Sequence, residues 1–329
     1  MKNKKPERLA VIGCGAVFEA FYLEALRQLT AAGTLEVVLL VDSNKKFASS
    51  FLKDLPSAKV ATQLDEGLQG TEVDRALVLT PPSSHASVMA QLANSDVHVY
   101  CEKPFTVSPQ EARETRDLFA SRQLICKVGY VRRMFPNFRA FKGCFAQLGA
   151  SRTLTITDGE VFRWPIKTSG IFTPTEVGGG VVWDKLSHNL DLIQWIDGVE
   201  SIDRVSSRCR AGRVPVDIFV EGRTCKGRFK VAVSWAEALP NLVRGSDGRN
   251  TVTSKNGLVE SLTTNFDDLR TPKQPFDVAS YADAVKASLQ EFISLRSPSE
   301  SSPLATAAES VALTEFLSYI DTQAREAQI

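Results

Sequence analysis

The sequence predicts an α/β chain in two parts. Residues 1–128 read as a doubly wound parallel sheet, and residues 129–329 as an α+β domain on an open, mostly antiparallel sheet. Three observations carry this reading. The first part alternates short apolar runs with helical spacings, and strands that apolar are buried on both faces. After Gly129 apolar and polar positions alternate, as in strands with one covered face. A length of 329 residues suits two domains of ~100–200 residues each.

The elements follow in order. Residues 8–13 form the first strand. Residues 16–32 keep helical spacing until Gly33 ends the helix. Strand 35–41 runs into Asp42, 48–52 is helical, 59–61 is a short strand, and 75–79 is a strand closed by Thr80-Pro81-Pro82. Helix 85–93, strand 97–101, helix 109–121 and strand 124–128 complete the first part. In the second, 130–148 is expected as one helix opening with Phe135-Pro136, and 181–195 as a helix entered through Gly178-Gly179-Gly180. Segments 152–162, 202–210, 218–221, 226–235 and 251–254 supply the sheet, and 280–293 and 303–324 are helical, with a Ser/Pro-rich loop between them. The last helix is free to pack back on the first domain.

Composition narrows the function. A hydrophobic fraction of 43% and a charged fraction of 23% are ordinary for a packed globular chain. A net charge of +1 argues against nucleic acid and anionic membranes as partners. No apolar run reaches the roughly 18 residues of a membrane span, and no signal-like segment opens the chain. The six cysteines form no C-x-x-C pair, which suits reduced thiols in a cytoplasmic protein. With three histidines, none at ligand spacing to a cysteine, no metal site is expected.

Three motifs carry chemistry. Gly13-x-Gly15 follows a strand and opens a helix, where glycines allow a tight turn and a close approach of pyrophosphate to the helix N-terminus. Phe18 stands where a third glycine is usual, so the helix is expected to sit differently. Asp42 ends the second strand, where a carboxylate can bind a ribose. Glu102-Lys103-Pro104 follows a strand end, the edge at which open α/β sheets bind ligands, and Lys103 can donate to a substrate oxygen. Asp184, His188 and Asp191 stand at i, i+4 and i+7 on one helix face, an imidazole with carboxylate neighbours suited to acid/base work. His98 reads as structural, and His85 as either a cofactor contact or a cap. Arg132, Arg133 and Trp164 read either as the lining of a polar pocket or as a rim salt bridge and core packing.

The order of these motifs resembles the Gfo/Idh/MocA oxidoreductases, the family of glucose-fructose oxidoreductase and inositol dehydrogenase. The matching pieces are Gly13-Cys-Gly15-Ala16-Val17, Thr80-Pro81-Pro82-x-x-His85, Glu102-Lys103-Pro104, Gly129-Tyr130-x-Arg132-Arg133-x-Phe135-Pro136 and Gly178-Gly-Gly-x-x-x-Asp184-x-x-x-His188-x-x-Asp191. The resemblance implies a nicotinamide-binding Rossmann domain and a second domain whose sheet often mediates dimers or tetramers. It implies catalytic positions at Lys103, Asp184 and His188. It implies cofactor contacts from Gly13, Gly15, Ala16, Val17, Asp42, Thr80, Pro81, His85, Glu102 and Lys103, and substrate contacts are expected from Tyr130, Arg132 and Trp164, with Lys185 a further candidate outside the family pattern. Lys185 and Leu186 depart from the apolar residue and glycine usual between the aspartate and histidine.

The function expected is hydride transfer between NAD(P) and a secondary alcohol or ketone of a sugar, cyclitol or nucleotide sugar. Two alternatives stay open: glycoside cleavage through transient oxidation, and a catalytically silent cofactor-binding regulator. NAD is preferred over NADP because Asp42 would repel a 2′-phosphate, although Lys45 and Lys46 lie nearby. A homodimer or homotetramer is expected through an exposed apolar face of the second sheet.

Overall fold

The structure, a computed structural model, describes residues 5–161, 179–210, 214–255, 262–265 and 278–326. The chain divides into two compact units, Met1–Gly129 with Tyr281–Val311, and Tyr130–Ser280 with Ala312–Ile329. Residues 281–311, assigned from sequence to the second domain, thus count with the first.

The first unit holds strands β1 (Glu7–Ile12), β2 (Leu35–Val41), β3 (Lys59–Ala61), β4 (Arg75–Val78), β5 (His98–Cys101) and β6 (Cys126–Val128). Its connecting helices are α1 (Leu23–Ala31), α2 (Lys45–Ser49), α3 (Leu64–Leu68), α4 (His85–Asn94) and α5 (Pro109–Ser121). The strands pair in parallel in the order β3-β2-β1-β4-β5-β6, and Ala305–Thr306 adds an antiparallel edge to β6. The apolar residues of β1, β4 and β5 are buried, as strands covered on both faces require. Helix Tyr281–Ser294 is tied to this sheet by Arg75. Its buried guanidinium donates to the carbonyls of Phe292 at 3.0 Å and Leu295 at 2.7 Å and pairs with Glu7 at 3.2 Å.

The second unit holds α6 (Pro136–Phe145), β7 (Arg152–Gly159), α7 (Ser187–Asp197), β8 (Val199–Arg210), β9 (Val214–Thr224), β10 (Gly227–Ser234), β11 (Leu239–Ser246), β12 (Thr251–Lys255) and β13 (Thr263–Thr264). The sheet order is β13-β12-β11-β7-β10-β9-β8, antiparallel except between β7 and β10. Leu154, Ile156, Val220, Val231, Val233 and Val243 are buried on the face that meets α6 and α7. The fold class is the one expected.

Several details differ from expectation. Residues 130–148 do not form one helix. A 3-10 turn, Val131–Met134, leads to Phe135 in extended conformation, because Pro136 excludes the helical region for the residue before it. The helix after Gly15 contains a π-turn, Phe18–Tyr22, with the Leu23 amide bonded to the Phe18 carbonyl five residues back. A second π-turn, Val182–Leu186, precedes α7. The sequence reading missed β11. Its polar positions and Pro240 hide it, and the register shift between Leu239 and Leu242 accommodates the proline.

The outer sheet face is only in part the apolar surface expected. One cross-strand row is charged, with Arg204 facing Glu221 and Glu221 facing Lys230, while the next sets Phe219 beside Ala232, Ala232 beside Thr157 and Thr157 beside Leu242. No helix among the described residues is long and apolar enough to cross a membrane.

Candidate active site

The first unit builds a nucleotide cradle from its glycine turn. Gly13 has φ +94°, and a Cβ there would lie 2.7–2.8 Å from the backbone of Leu79 and Thr80. Only glycine meets both conditions, so this residue lets the β1 and β4 exits approach one another. A Cβ on Gly15 would meet nothing within 4 Å. Ala16 and Val17 open the helix there, half-buried, and the Gly15 carbonyl accepts the Glu19 amide at 3.1 Å. The turn therefore offers room and helix N-terminal amides together, the features a pyrophosphate requires. Phe18 is buried edge-on against Phe51, with centroids 4.8 Å apart, and begins the π-turn where close glycine packing is usual.

Asp42 is tied into this turn. One carboxylate oxygen accepts the Cys14 amide and the other the Asn44 amide, both at 2.8 Å. Each oxygen keeps a further lone pair, so the residues present fit a ribose diol beside the glycine turn. Cys14 is buried, and burial pushes its thiol up to about 12, so it packs rather than reacts. Cys126 is likewise pushed up to about 12 by burial.

The loop after β5 is braced on both sides of Lys103. Glu102 Oε1 accepts from the Tyr22 hydroxyl at 2.5 Å, and Oε2 accepts the Lys103 amide at 2.9 Å. Burial pushes the Glu102 carboxyl up, while the Tyr22 hydrogen bond and Lys103 oppose the shift. The Lys103–Pro104 bond is cis. His85 turns its two nitrogens to backbone carbonyls, Nδ1 to Pro104 at 2.9 Å and Nε2 to Thr80 at 2.8 Å. The ring is fully buried, and burial lowers its pKa. His85, for which the sequence left a cofactor contact or a cap open, thus sits between two loops, its neutral ring able to donate to one of the two carbonyls. Thr80 Oγ1 accepts from Ser84 Oγ at 2.8 Å, and Pro81 is exposed beside it. His98 is structural: its Nδ1 accepts the Ile125 amide at 3.1 Å.

The second unit gathers a polar cluster. Gly180, with φ +87°, has Pro215 O 3.1 Å from its Cβ position, and the Gly180 carbonyl accepts the Asp184 amide at 3.3 Å. Asp184 Oδ2 accepts the Trp235 indole N–H at 3.2 Å. His188, half-buried, presents its ring to Tyr130 edge to face, with centroids 6.3 Å apart. Asp158 lies on the inner face of β7 and accepts Arg132 at 2.9 Å, Lys185 at 2.9 Å and Asn189 at 3.0 Å. Burial opposes its charge, but Arg132, then Lys185 and Asn189, outweigh that cost and hold its carboxyl well below the usual carboxylate range.

Two expectations are corrected here. Asp191, grouped with His188 by spacing, is engaged by Arg133. It takes two prongs from buried Arg133, Nη2 to Oδ1 at 2.7 Å and Nε to Oδ2 at 3.0 Å. Arg133 belongs to this ion pair rather than to a pocket. Trp164 and Gly178 lie outside the described residues. The residues that sequence reasoning missed are Tyr22, Asp158, Asn189 and Trp235. None stands in a local motif, and each meets its partner only through the fold. Among the described residues no cluster of histidine, cysteine and carboxylate could hold a metal ion.

Comparison with known proteins agrees with this geometry. The model of an oxidoreductase family described as having an NAD-binding Rossmann fold matches residues 7–130. An uncharacterised oxidoreductase of Schizosaccharomyces pombe is 30% identical over 190 residues, covering 56% of this chain and 50% of that protein. A scyllo-inositol 2-dehydrogenase (NAD(+)) of Bacillus subtilis is 26% identical, covering 65% and 59%. The matches thus span about half to three-fifths of these relatives. Among solved structures, an oxidoreductase of Thermotoga maritima has a TM-score of 0.80 at 16% identity, covering 97% of both chains. The UDP-N-acetylglucosamine 3-dehydrogenase of Acidithiobacillus ferrooxidans scores 0.78 at 19% identity, covering 98% of both. These likenesses show the fold.

The first unit is accordingly a Rossmann domain of the NAD-binding kind. Over residues 7–130 the chain matches the model of the Gfo/Idh/MocA oxidoreductase family.

Proposed function

We propose that this protein is an NAD(P)-dependent oxidoreductase acting on a secondary alcohol or ketone of a sugar, cyclitol or nucleotide sugar. The observation that carries the reading is the cradle: Gly13, open space at Gly15 and the Asp42 carboxylate on the Cys14 amide. Curated relatives support the substrate class, among them the scyllo-inositol dehydrogenase and the UDP-N-acetylglucosamine 3-dehydrogenase.

Bound nicotinamide would supply the redox chemistry by accepting or giving a hydride. Gly13, Gly15, Ala16 and Val17 would hold its pyrophosphate, Asp42 its ribose, and Thr80, Pro81 and Glu102 its remaining edge. In the oxidative direction His188 takes the hydroxyl proton as the carbon–oxygen double bond forms, and in reduction it returns that proton. Lys103 polarises the oxygen. Asp184, oriented by Trp235, fixes the imidazole or a neighbouring hydroxyl. Tyr130, Arg132, Lys185 and Trp164 bind substrate, with Arg132 and Lys185 set in place by Asp158.

The test is a panel of cyclitols, sugars and nucleotide sugars with NAD and NADP, followed at the nicotinamide absorbance. Turnover of at least one polyol or nucleotide sugar is expected. Cofactor binding without turnover of any of them would overturn the reading.

We also propose a homodimer or homotetramer through the outer face of the second sheet, where Phe219, Ala232 and Leu242 line up with Thr157 beside the charged row. A sedimentation coefficient of a dimer or tetramer at micromolar concentration is expected, and that of a monomer would contradict it.

A further inference from the structure

We infer that Tyr22 and His85 are positioning residues for Lys103, an inference that rests on the catalytic role proposed above for that lysine. Lys103 stands between two tethered neighbours. Before it, Glu102 is held by the Tyr22 hydroxyl at 2.5 Å and by the Lys103 amide at 2.9 Å. After it, the Pro104 carbonyl lies 2.9 Å from His85 Nδ1, and the same ring reaches the Thr80 carbonyl at 2.8 Å.

Both side chains are fully buried, at 0% exposure, so their polar atoms serve the interior and not a ligand. Their origins give the arrangement its meaning. Tyr22 closes the π-turn that follows the glycine turn, and His85 begins α4 after the Thr80 loop. The loop bearing Lys103 is therefore fixed to the two segments that build the nucleotide cradle. A lysine has a long, flexible stem, so the place of its ammonium depends first on where the backbone sets the base of that stem. Displacement of a reacting group by about 1 Å can cost on the order of 100-fold in rate.

Burial pushes the Glu102 carboxyl up, and the Tyr22 hydrogen bond opposes that shift. Removing the hydroxyl takes a donor from a partly buried acceptor, which favours rearrangement of the Glu102–Lys103 segment.

Tyr22→Phe tests this while keeping the ring, and His85→Phe tests the other brace. The first readout needs no turnover. Lysines are reductively methylated with 13C, the Lys103 resonance is assigned by its loss in Lys103→Arg, and its position is compared between wild type and Tyr22→Phe. A displaced Lys103 resonance, with the other lysines unmoved, is expected.

The second readout is kcat with NAD and the polyol or nucleotide sugar found in the panel. Tyr22→Phe should lower kcat roughly 10- to 100-fold with cofactor affinity kept, and should cost nothing further in a Lys103→Ala background. An unmoved resonance, or a loss fully additive with Lys103→Ala, would overturn the inference. Wild-type turnover by Lys103→Ala would instead overturn the catalytic role of Lys103, and the resonance would still decide whether Tyr22 positions it. If His85→Phe fails to fold, Tyr22→Phe alone carries the decision.

Discussion

Lys185 and Asp158 are joined at 2.9 Å, an ammonium from the π-turn before α7 resting on a buried carboxylate of β7. Arg132 holds the other oxygen of the same carboxylate. Two cations expected to meet substrate are thus first anchored to protein, which fixes their direction before any ligand arrives.

This cluster predicts a pH dependence. The Asp158 carboxyl is held below its ordinary value of 3.8, so the folded state binds its proton less tightly than the unfolded chain. Its contribution to stability is full above pH 3.8 and is lost as pH falls from there towards the folded value. Asp158→Asn should flatten the acid limb of a melting-temperature profile over that window. An unchanged profile would show that the cluster does not stabilise the fold.

The Arg133–Asp191 pair predicts a structural loss. Both side chains are 2% exposed, and truncating one takes from the other the buried counter-charge that it meets here. Asp191→Ala should cost about 3–5 kcal/mol in denaturant unfolding. A cost below about 1 kcal/mol, the range of surface pairs, would mean that Arg133 finds water or another partner.

Asp42 predicts a preference for NAD. Its carboxylate would repel a 2′-phosphate, and its hold on the Cys14 amide keeps it at the cradle. Asp42→Ser should weaken NAD and improve NADP relative to it, as measured by titration with each reduced cofactor. Tighter NADP than NAD binding by the wild type would show that exposed Lys45 and Lys46 decide instead.

The parts legible in sequence were those with a local period or a local motif. The strand–turn–helix at Gly13 and α5, Pro109–Ser121, follow from apolar spacing and punctuation by glycine, serine and proline. The π-turns were not legible, because a slightly wider turn leaves the apolar pattern of a helix nearly intact. Helical spacing grouped Asp191 with His188, but spacing cannot register that buried Arg133 needs a counter-charge. The same limit hid Tyr22 and Asp158. Each is a single polar residue whose partner comes from another element, 80 residues away for Tyr22 and Glu102.

The most direct test of the proposed activity is the single-turnover rate of hydride transfer in His188→Ala, followed at the nicotinamide absorbance with the substrate the panel provides. A general acid/base contributes ~10²–10⁴ in rate, so a fall of that size with cofactor affinity unchanged is predicted. Transfer at the wild-type rate would contradict the account, because proton handling would then lie with another residue.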